Sequence, residues 1–359
     1  MTTIDTSQHS FIFLICQVGS EARCKAELAV NHPDLTFAFG RPGLLTFKIG
    51  ENSAIHSELV LKSSFARTYG YSTGTYKQES CEDLVRELCD SLNARLVHYW
   101  SRADQDQQLK EAESEPNPGS KRLNLPAVQL NRNAKSDETV VDVIEIDPGH
   151  WLLGFHQAKQ TFQRWRAGKP LIRCDEPVVS RAYFKTEEAL QWSRIPIRAG
   201  DTCVEIGAAP GGSAQALLQR GCHVIAVDPA EMDERLAGYP RLIHIRKRGR
   251  EVPKKEFSRA RWLLADLNVA PRFTLDTVED IVTNENVHVR GLILTLKLMD
   301  ETGAATPHCL SVDEMTELVA RVRGWGMRFI KTRQLAYNRN EVCLFALKQK
   351  ALMRARKRR

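Results

Sequence analysis

Four charged residues in the second half of the chain stand at the ends or edges of predicted helices and strands. They are Lys185, Asp266, Lys297 and Glu341. Lys297 interrupts the apolar run 292–298, where an unpaired ammonium is costly, so it needs carboxylate partners or a lowered pKa. A second cation, Lys185, would lower that pKa toward the range of a general base. Each residue alone is equally typical of a surface or capping position, but the set favours acid–base chemistry.

A glycine-rich loop within the run 201–218 follows an apolar strand and leads directly into a helix. Its glycines allow positive φ, and the loop delivers a ligand to the free N–H groups of the helix N-terminus. We predict cofactor contacts from its residues Glu205, Gly207, Ala209, Pro210, Gly211 and Gly212. Asp228, which ends the next strand, suits a ribose diol.

The spacing of this loop separates two possible ligands. A dinucleotide site needs the pattern G-x-G-x-x-G, which is missing here. Glu205 would repel a pyrophosphate, but it could hold the ammonium of a methionine moiety. S-adenosylmethionine therefore fits better than NAD.

The elements that must position these residues alternate between strand and helix from residue 181 onwards. Candidate strands cover 202–206, 223–227, 241–246, 261–267, 290–298, 327–335 and 341–348. A helix over 312–323 begins at a Ser311/Glu314 capping box, and Lys185 is expected just before a helix over 186–193. The pattern predicts a Rossmann-like α/β domain over 181–350, with a seven-stranded, mostly parallel sheet and helices on both faces. Asp266 and Lys297 should end neighbouring strands at its ligand crevice.

The first part of the chain, 1–156, mixes strand-like with helix-like runs and predicts an α+β domain. Strands are expected at 11–18 and 43–49, helices at 21–30 and 79–96, and a closing hairpin at 140–155. Residues 103–139 have the composition of a mobile loop, and 157–180 form a basic connector.

Positive charge is concentrated in two places, although the net charge is only +7. One is the run 241–261, from which we predict RNA contacts by Lys247, Arg248, Arg250, Lys254 and Lys255; the other is the tail 351–359. For each run alone, a solvated face or free tail is an equally good interpretation.

The remaining features of the composition argue against several classes of protein. No apolar run is long enough to cross a membrane, and no targeting segment is recognised. The nine cysteines are scattered without a C-x-x-C pair, which disfavours a disulfide framework or a zinc site and indicates a reducing compartment, the cytoplasm. We expect no metal in the chemistry.

The chain resembles the RrmJ/FtsJ-type 2′-O-ribose methyltransferases, and most clearly their RlmM branch. The resemblance rests on the segments 180–189, 205–212, 227–228, 266–271, 294–297 and 337–342. It implies a catalytic tetrad of Lys185, Asp266, Lys297 and Glu341, and contacts to S-adenosylmethionine from Ser180, 209–212, Asp228 and Asp266. It also implies a THUMP-like, RNA-binding first domain and methylation of a cytidine ribose in large-subunit ribosomal RNA. Whether that RNA is naked or in a pre-ribosomal particle stays open, and we expect the protein to be a monomer. Ser213, where the family usually has an aromatic residue, is a departure.

Two other functions are compatible with parts of this pattern. A non-catalytic RNA-binding or ribosome-assembly protein could keep the fold for its surface, although an intact tetrad argues against it. An NAD-dependent dehydrogenase would need the dinucleotide glycine spacing that this loop lacks.

Overall fold

The computed structural model describes residues 9–102, 123–299 and 310–349. The chain divides into two compact units, Met1–Leu171 (unit 1) and Ile172–Arg359 (unit 2). The predicted basic tail at 351–359 and residues 103–122 of the predicted mobile loop lie outside the described residues.

Unit 1 is built on one mostly antiparallel sheet. Its strands are β1 (Phe11–Cys16), β2 (Leu35–Arg41), β3 (Leu44–Ile49), β4 (Ala66–Lys77), β5 (Leu96–Ser101), β6 (Gln129–Leu130), β7 (Thr139–Asp147) and β8 (His150–Gln157), in the order β2-β3-β1-β4-β8-β7-β5-β6. β5 pairs in parallel with β6 and β7. Helices α1 (Glu21–Asn31) and α2 (Glu82–Ser91) complete an α+β arrangement, as predicted. The more specific THUMP-like assignment stays a prediction.

Two predictions for unit 1 differ from the structure. The helix expected at 79–96 is shorter, because Asn93 takes a left-handed φ of 48° and the chain then enters β5. The mobile loop does not include 123–139, since Leu123 and Leu125 are 5% exposed in the core and β6 pairs with β5. Apolar side chains hold this stretch, although its polar composition suggested a loop.

Unit 2 is a Rossmann-like α/β fold. Its strands are β9 (Thr202–Ile206), β10 (His223–Val227), β11 (Leu242–Ile245), β12 (Trp262–Asp266), β13 (Gly291–Lys297), β14 (Met327–Arg333) and β15 (Glu341–Lys348), in the order β11-β10-β9-β12-β13-β15-β14. Its helices are α3 (Ala182–Ser193), α4 (Gly212–Gln219), α5 (Pro271–Val282) and α6 (Val312–Gly324). The predicted capping box is present, because the Glu314 N–H donates to Ser311 Oγ at 3.2 Å and the Ser311 N–H to Glu314 Oε2 at 2.7 Å.

The strand order places the helices and the crevice. From β9 the chain crosses through α4 to β10 on one side, and from β12 it crosses through α5 to β13 on the other. Right-handed crossovers in opposite directions put the two helices on opposite faces. The direction of winding therefore reverses between β9 and β12, which is where open α/β sheets bind ligands.

Candidate active site

The four residues of the predicted tetrad form a closed ring of ion pairs at this edge of the sheet. Lys185 Nζ lies 3.2 Å from Asp266 Oδ2 and 3.0 Å from Glu341 Oε1. Lys297 Nζ lies 3.1 Å from Asp266 Oδ1 and 3.0 Å from the same Glu341 oxygen. The four side chains are between 10% and 18% exposed. Each charge therefore faces two opposite charges, and the ring is close to neutral.

The register of the strands explains why three of these residues meet. β12 and β13 run in parallel, with Asp266 paired to Thr295, two positions before Lys297. β15 runs antiparallel to β13, so its first residue, Glu341, pairs directly with Lys297. The ends of two strands and the start of a third thus share one edge.

Lys185 reaches the ring from a helix, and its predicted position was wrong. α3 begins at Ala182, so Lys185 lies in its first turn instead of before it. The start is set by Ser180, whose carbonyl accepts the Tyr183 N–H at 3.0 Å. The run from Ala182 to Lys185 contains no residue that would delay the helix.

The charges of the ring act on its pKa values in opposite directions. Burial acts to raise the pKa of Glu341, but Lys185 and Lys297 lower it to about 2. Burial acts to lower the pKa of Lys297, but Asp266 and Glu341 raise it above its ordinary value. The expected lowering of the Lys297 pKa by Lys185 is therefore wrong, because two carboxylates separate the lysines, whereas the alternative of carboxylate partners is what the ring shows. Lys297 is an ammonium in the resting ring.

Glu188 is a buried carboxylate beside the ring that the sequence did not single out. It lies on α3 with 0% exposure, and its two oxygens accept the N–H groups of Ala336 and Tyr337, each at 2.9 Å. The same loop leads into β15, where the Arg339 N–H donates to Glu341 Oε2 at 2.6 Å. Helix α3 therefore supplies Lys185 and also fixes the loop that presents Glu341. Its only sequence signal is a carboxylate one turn after Lys185.

The glycine loop is packed against its own chain. Gly211 has a φ of 117°, and a Cβ there would lie 2.2 Å from Leu236 Cδ1. A Cβ on Gly212 would lie 2.2 Å from Ser180 Oγ. A side chain at Gly211 would therefore collide with Leu236, which occupies that space. The loop still begins α4, whose first N–H groups have no partner within the helix.

Glu205 is a buried carboxyl that is suited to bind a cation. It is 2% exposed on β9, and its Oε2 has no hydrogen-bond partner among the described residues. Burial raises its pKa well above the ordinary range, Ser213 lowers it, and Asp266 and Asp228 raise it further. Ser213 also accepts a 2.7 Å hydrogen bond from Thr186, so the unusual serine belongs to a polar chain from α3 to Glu205. An ammonium group would satisfy this carboxyl.

Asp228 holds the loop as well as facing the crevice. Its Oδ2 accepts the Ala209 N–H at 3.1 Å, and its Oδ1 accepts the Ala230 N–H at 2.8 Å. A carboxylate has about four lone-pair sites, so both oxygens can still accept ribose hydroxyls. Glu205, Asp228 and the N-terminus of α4 together fit the amino acid and ribose parts of S-adenosylmethionine.

The predicted RNA-binding cluster is divided by the structure. Lys247, Arg248 and Lys255 are exposed. Arg250 and Lys254, however, form ion pairs with Asp276 and Asp280 of α5. Two of the five charges therefore serve the fold at least in part, and three are available to a partner.

Parts of this chain are similar to known methyltransferases. Residues 178–322 match the family of FtsJ-like methyltransferases. The ribosomal RNA large subunit methyltransferase M of Idiomarina loihiensis is 26% identical over 76% of this chain and 79% of its own length. The protein of the same name from Methylococcus capsulatus is 26% identical over 94% of this chain and 97% of its own length.

A further relative and a solved structure cover different extents. The methyltransferase M of Alkalilimnicola ehrlichii is 34% identical, but over 30% of this chain and 31% of its own length. TrmN from Thermus thermophilus aligns with 95% of this chain and 99% of its own at 13% identity and a TM-score of 0.35, a value that supports no conclusion about this chain. No helix within the described ranges has the length and apolar character required to span a membrane.

These findings confirm the predicted resemblance to RlmM-type methyltransferases. The match to FtsJ-like methyltransferases lies within unit 2. The prediction of an enzyme, an S-adenosylmethionine-dependent RNA methyltransferase, is confirmed, as is the predicted cofactor.

Proposed function

We propose that this FtsJ-like methyltransferase domain transfers a methyl group from S-adenosylmethionine to a ribose 2′-hydroxyl of large-subunit ribosomal RNA, at a cytidine. The observation that carries the proposal is the ring of Lys185, Asp266, Lys297 and Glu341 beside the unsatisfied carboxyl of Glu205. One group engages a hydroxyl, and the other engages the methyl donor. The names of the relatives support ribosomal RNA as the substrate class.

The protein would hold the cofactor with few groups. Glu205 binds the ammonium, Asp228 the ribose hydroxyls, and the N–H groups at the start of α4 the carboxylate. When bound, S-adenosylmethionine supplies an electrophilic methyl group on a sulfonium. Residues 177–179 lie against α4, because Gln215 accepts the Val179 N–H at 2.8 Å and donates to the Pro177 carbonyl at 3.1 Å. This contact keeps Ser180 beside Gly212.

The ring would orient the nucleophile. Because the pKa of Lys297 is raised, its ammonium donates a hydrogen bond to the 2′-oxygen and turns a lone pair toward the methyl group. Lys185 and Glu341 hold Lys297 and Asp266 in place. The new carbon–oxygen bond would form as the methyl–sulfur bond breaks, with that electron pair left on the sulfur of the departing S-adenosylhomocysteine. The hydroxyl proton would leave to Asp266, the more exposed ring carboxylate, or to water. We assign Lys297 the role of steering the hydroxyl.

Two arginines next to the ring support an anionic substrate. Burial lowers the pKa of Arg181, the like charge of Arg339 lowers it further, and Glu341 raises it. Arg339 is exposed. Two guanidinium groups whose charges repel each other beside a catalytic ring are a suitable place for a phosphate of RNA.

The test is methyl transfer from labelled S-adenosylmethionine to large-subunit ribosomal RNA, free and in precursor particles, followed by mapping of 2′-O-methyl groups. We expect one labelled cytidine and loss of that mark in a deletion strain. Label on a base would contradict the proposal. A protein that binds the RNA but transfers no label would instead be an assembly factor.

A further inference from the structure

Unit 1 contains a buried polar cluster that the proposed reaction does not use. His98, Asp142 and His156 lie on the neighbouring strands β5, β7 and β8 and are 2%, 4% and 2% exposed. Each offers one nitrogen or oxygen atom, and these atoms all lie within 4.8 Å of one another. Three atoms of the types that bind metal ions therefore converge inside the unit.

The Nε2 atoms of both histidines face backbone carbonyls. His98 Nε2 lies 2.9 Å from the Arg132 oxygen, and His156 Nε2 lies 2.8 Å from the Gln163 oxygen. A carbonyl only accepts, so each Nε2 must carry the proton that it donates. In the neutral ring the Nδ1 atom then presents a lone pair. Histidines that bind metals are usually oriented by this kind of second hydrogen bond.

The Nδ1 atoms of the two histidines differ in their hydrogen bonding. His156 Nδ1 lies 2.5 Å from Asp142 Oδ2, so these two groups share a proton. His98 Nδ1 is buried and has no hydrogen-bond partner among the described residues. Leaving a buried ring nitrogen without a partner is costly. A metal ion bound in place of the shared proton would also give His98 Nδ1 a partner.

We propose that His98, Asp142 and His156 bind a divalent transition-metal ion, and that zinc is the ion of first choice. Two imidazoles and a carboxylate suit zinc, and the fourth position is open to the second Asp142 oxygen or a water. Magnesium and calcium are disfavoured because these ions bind imidazole weakly.

The metal would have a structural role. It would tie together three adjacent strands and, through the two carbonyls, the segments that contain Arg132 and Gln163. The proposal does not depend on the proposed function. Because the site is buried, we expect the ion to enter while the chain folds.

The test uses the full chain, unfolded in denaturant with a chelator and refolded with Zn²⁺, with Co²⁺ or without metal. We expect about one tightly held metal per chain and visible absorption from nitrogen and oxygen coordination of Co²⁺. At a free Zn²⁺ concentration about 100-fold above Kd, Tm should rise by about 5–10 °C. No retained metal and the same Tm in all three samples would overturn the proposal.

A pair of variants separates this site from adventitious binding. His98→Gln can still donate to the Arg132 carbonyl but lacks the ring nitrogen, so it should lose the metal and the rise in Tm. His223→Gln, which changes an exposed histidine of β10, should behave as the wild type. Equal metal content in both variants would overturn the assignment of the ligands. If His98→Gln does not fold, the wild-type refolding experiment still decides.

Discussion

The ring of four charged side chains and the nearby carboxyl of Glu205, at the same edge of the unit 2 sheet, differ in how their charges are balanced. In the ring, Asp266 and Glu341 each contact both lysines. Glu205, on the strand next to Asp266, has an oxygen without a partner among the described residues. The ring is complete without a ligand, whereas Glu205 becomes complete only when a cation binds. The proposed hydroxyl site is thus organised in advance, and the proposed cofactor site depends on its ligand.

This difference reverses the effect of pH on stability. The pKa of Glu341 is lowered to about 2, so its contribution is present above the unfolded value of about 4.3 and is lost as the pH falls toward 2. The pKa of Glu205 is raised, so the ligand-free protein loses stability as the pH rises from about 4.3 toward the folded value. The fold stabilises the ionised form of Glu341 and destabilises the ionised form of Glu205.

The largest expected effect comes from breaking the ring at Lys297. Lys297→Ala should lower the single-turnover rate of methyl transfer by about 10²–10⁴-fold, because the hydroxyl loses its oriented donor. Cofactor affinity, measured by calorimetry, should stay near the wild-type value. Lys297→Arg should retain more activity than Lys297→Ala but less than the wild type, since a planar guanidinium keeps the charge in a different position. The wild-type rate should be flat from about pH 7 to 9. A tenfold rise per pH unit would restore Lys297 as the base.

The cofactor side should respond to Glu205. Glu205→Ala should weaken S-adenosylmethionine binding by about 10–100-fold, because a charge-assisted hydrogen bond is lost. In the wild type, affinity should rise with pH through the raised pKa of Glu205, because binding requires the carboxylate. Glu205→Gln should abolish that pH dependence. Binding that is independent of pH in the wild type would contradict the assignment.

A smaller effect should follow from loosening the loop before Glu341. Glu188→Gln removes one of the two buried acceptors and should lower kcat by about 10-fold with unchanged cofactor affinity, because a small displacement of Glu341 misaligns the ring. The matched control is Glu187→Gln, its neighbour on α3, which breaks an ion pair with Arg220. If both variants lower kcat equally, the effect reflects helix stability and not the position of Glu341.

The smallest effect is expected at the exposed basic residues. Changing Lys247, Arg248 and Lys255 together to glutamine should weaken RNA binding and reduce the slope of log affinity against log salt by up to about 2–3. Changing Arg250 and Lys254, which pair with α5, should have less effect on the slope per charge removed. An unchanged slope in the triple variant would show that this cluster is a solvated face.

Elements with a strong local pattern of apolar residues were predicted from the sequence, and elements without one were not. All seven strands of unit 2 were predicted within a few residues, because short apolar runs separated by turns specify buried strands. The central strand β4 of unit 1 was not predicted, since Ala66–Lys77 mixes glycine, threonine and charged residues and is placed by its pairing with β1 and β8. Residues 123–139 were misassigned for a similar reason.

Local sequence patterns were enough to predict the residue types of the site, the glycine loop, the strand ends that carry Asp266 and Lys297, and the resemblance to a methyltransferase family. The tertiary structure was needed to show that each carboxylate contacts both lysines. The antiparallel entry of β15 puts Glu341 against Lys297 and reverses the predicted pKa shift of that lysine. The roles of Glu188 and of the His98 cluster also depend on contacts between distant segments. Spacing along a chain fixes which groups a local element presents, but a pKa or a ligand set depends on distances across the fold.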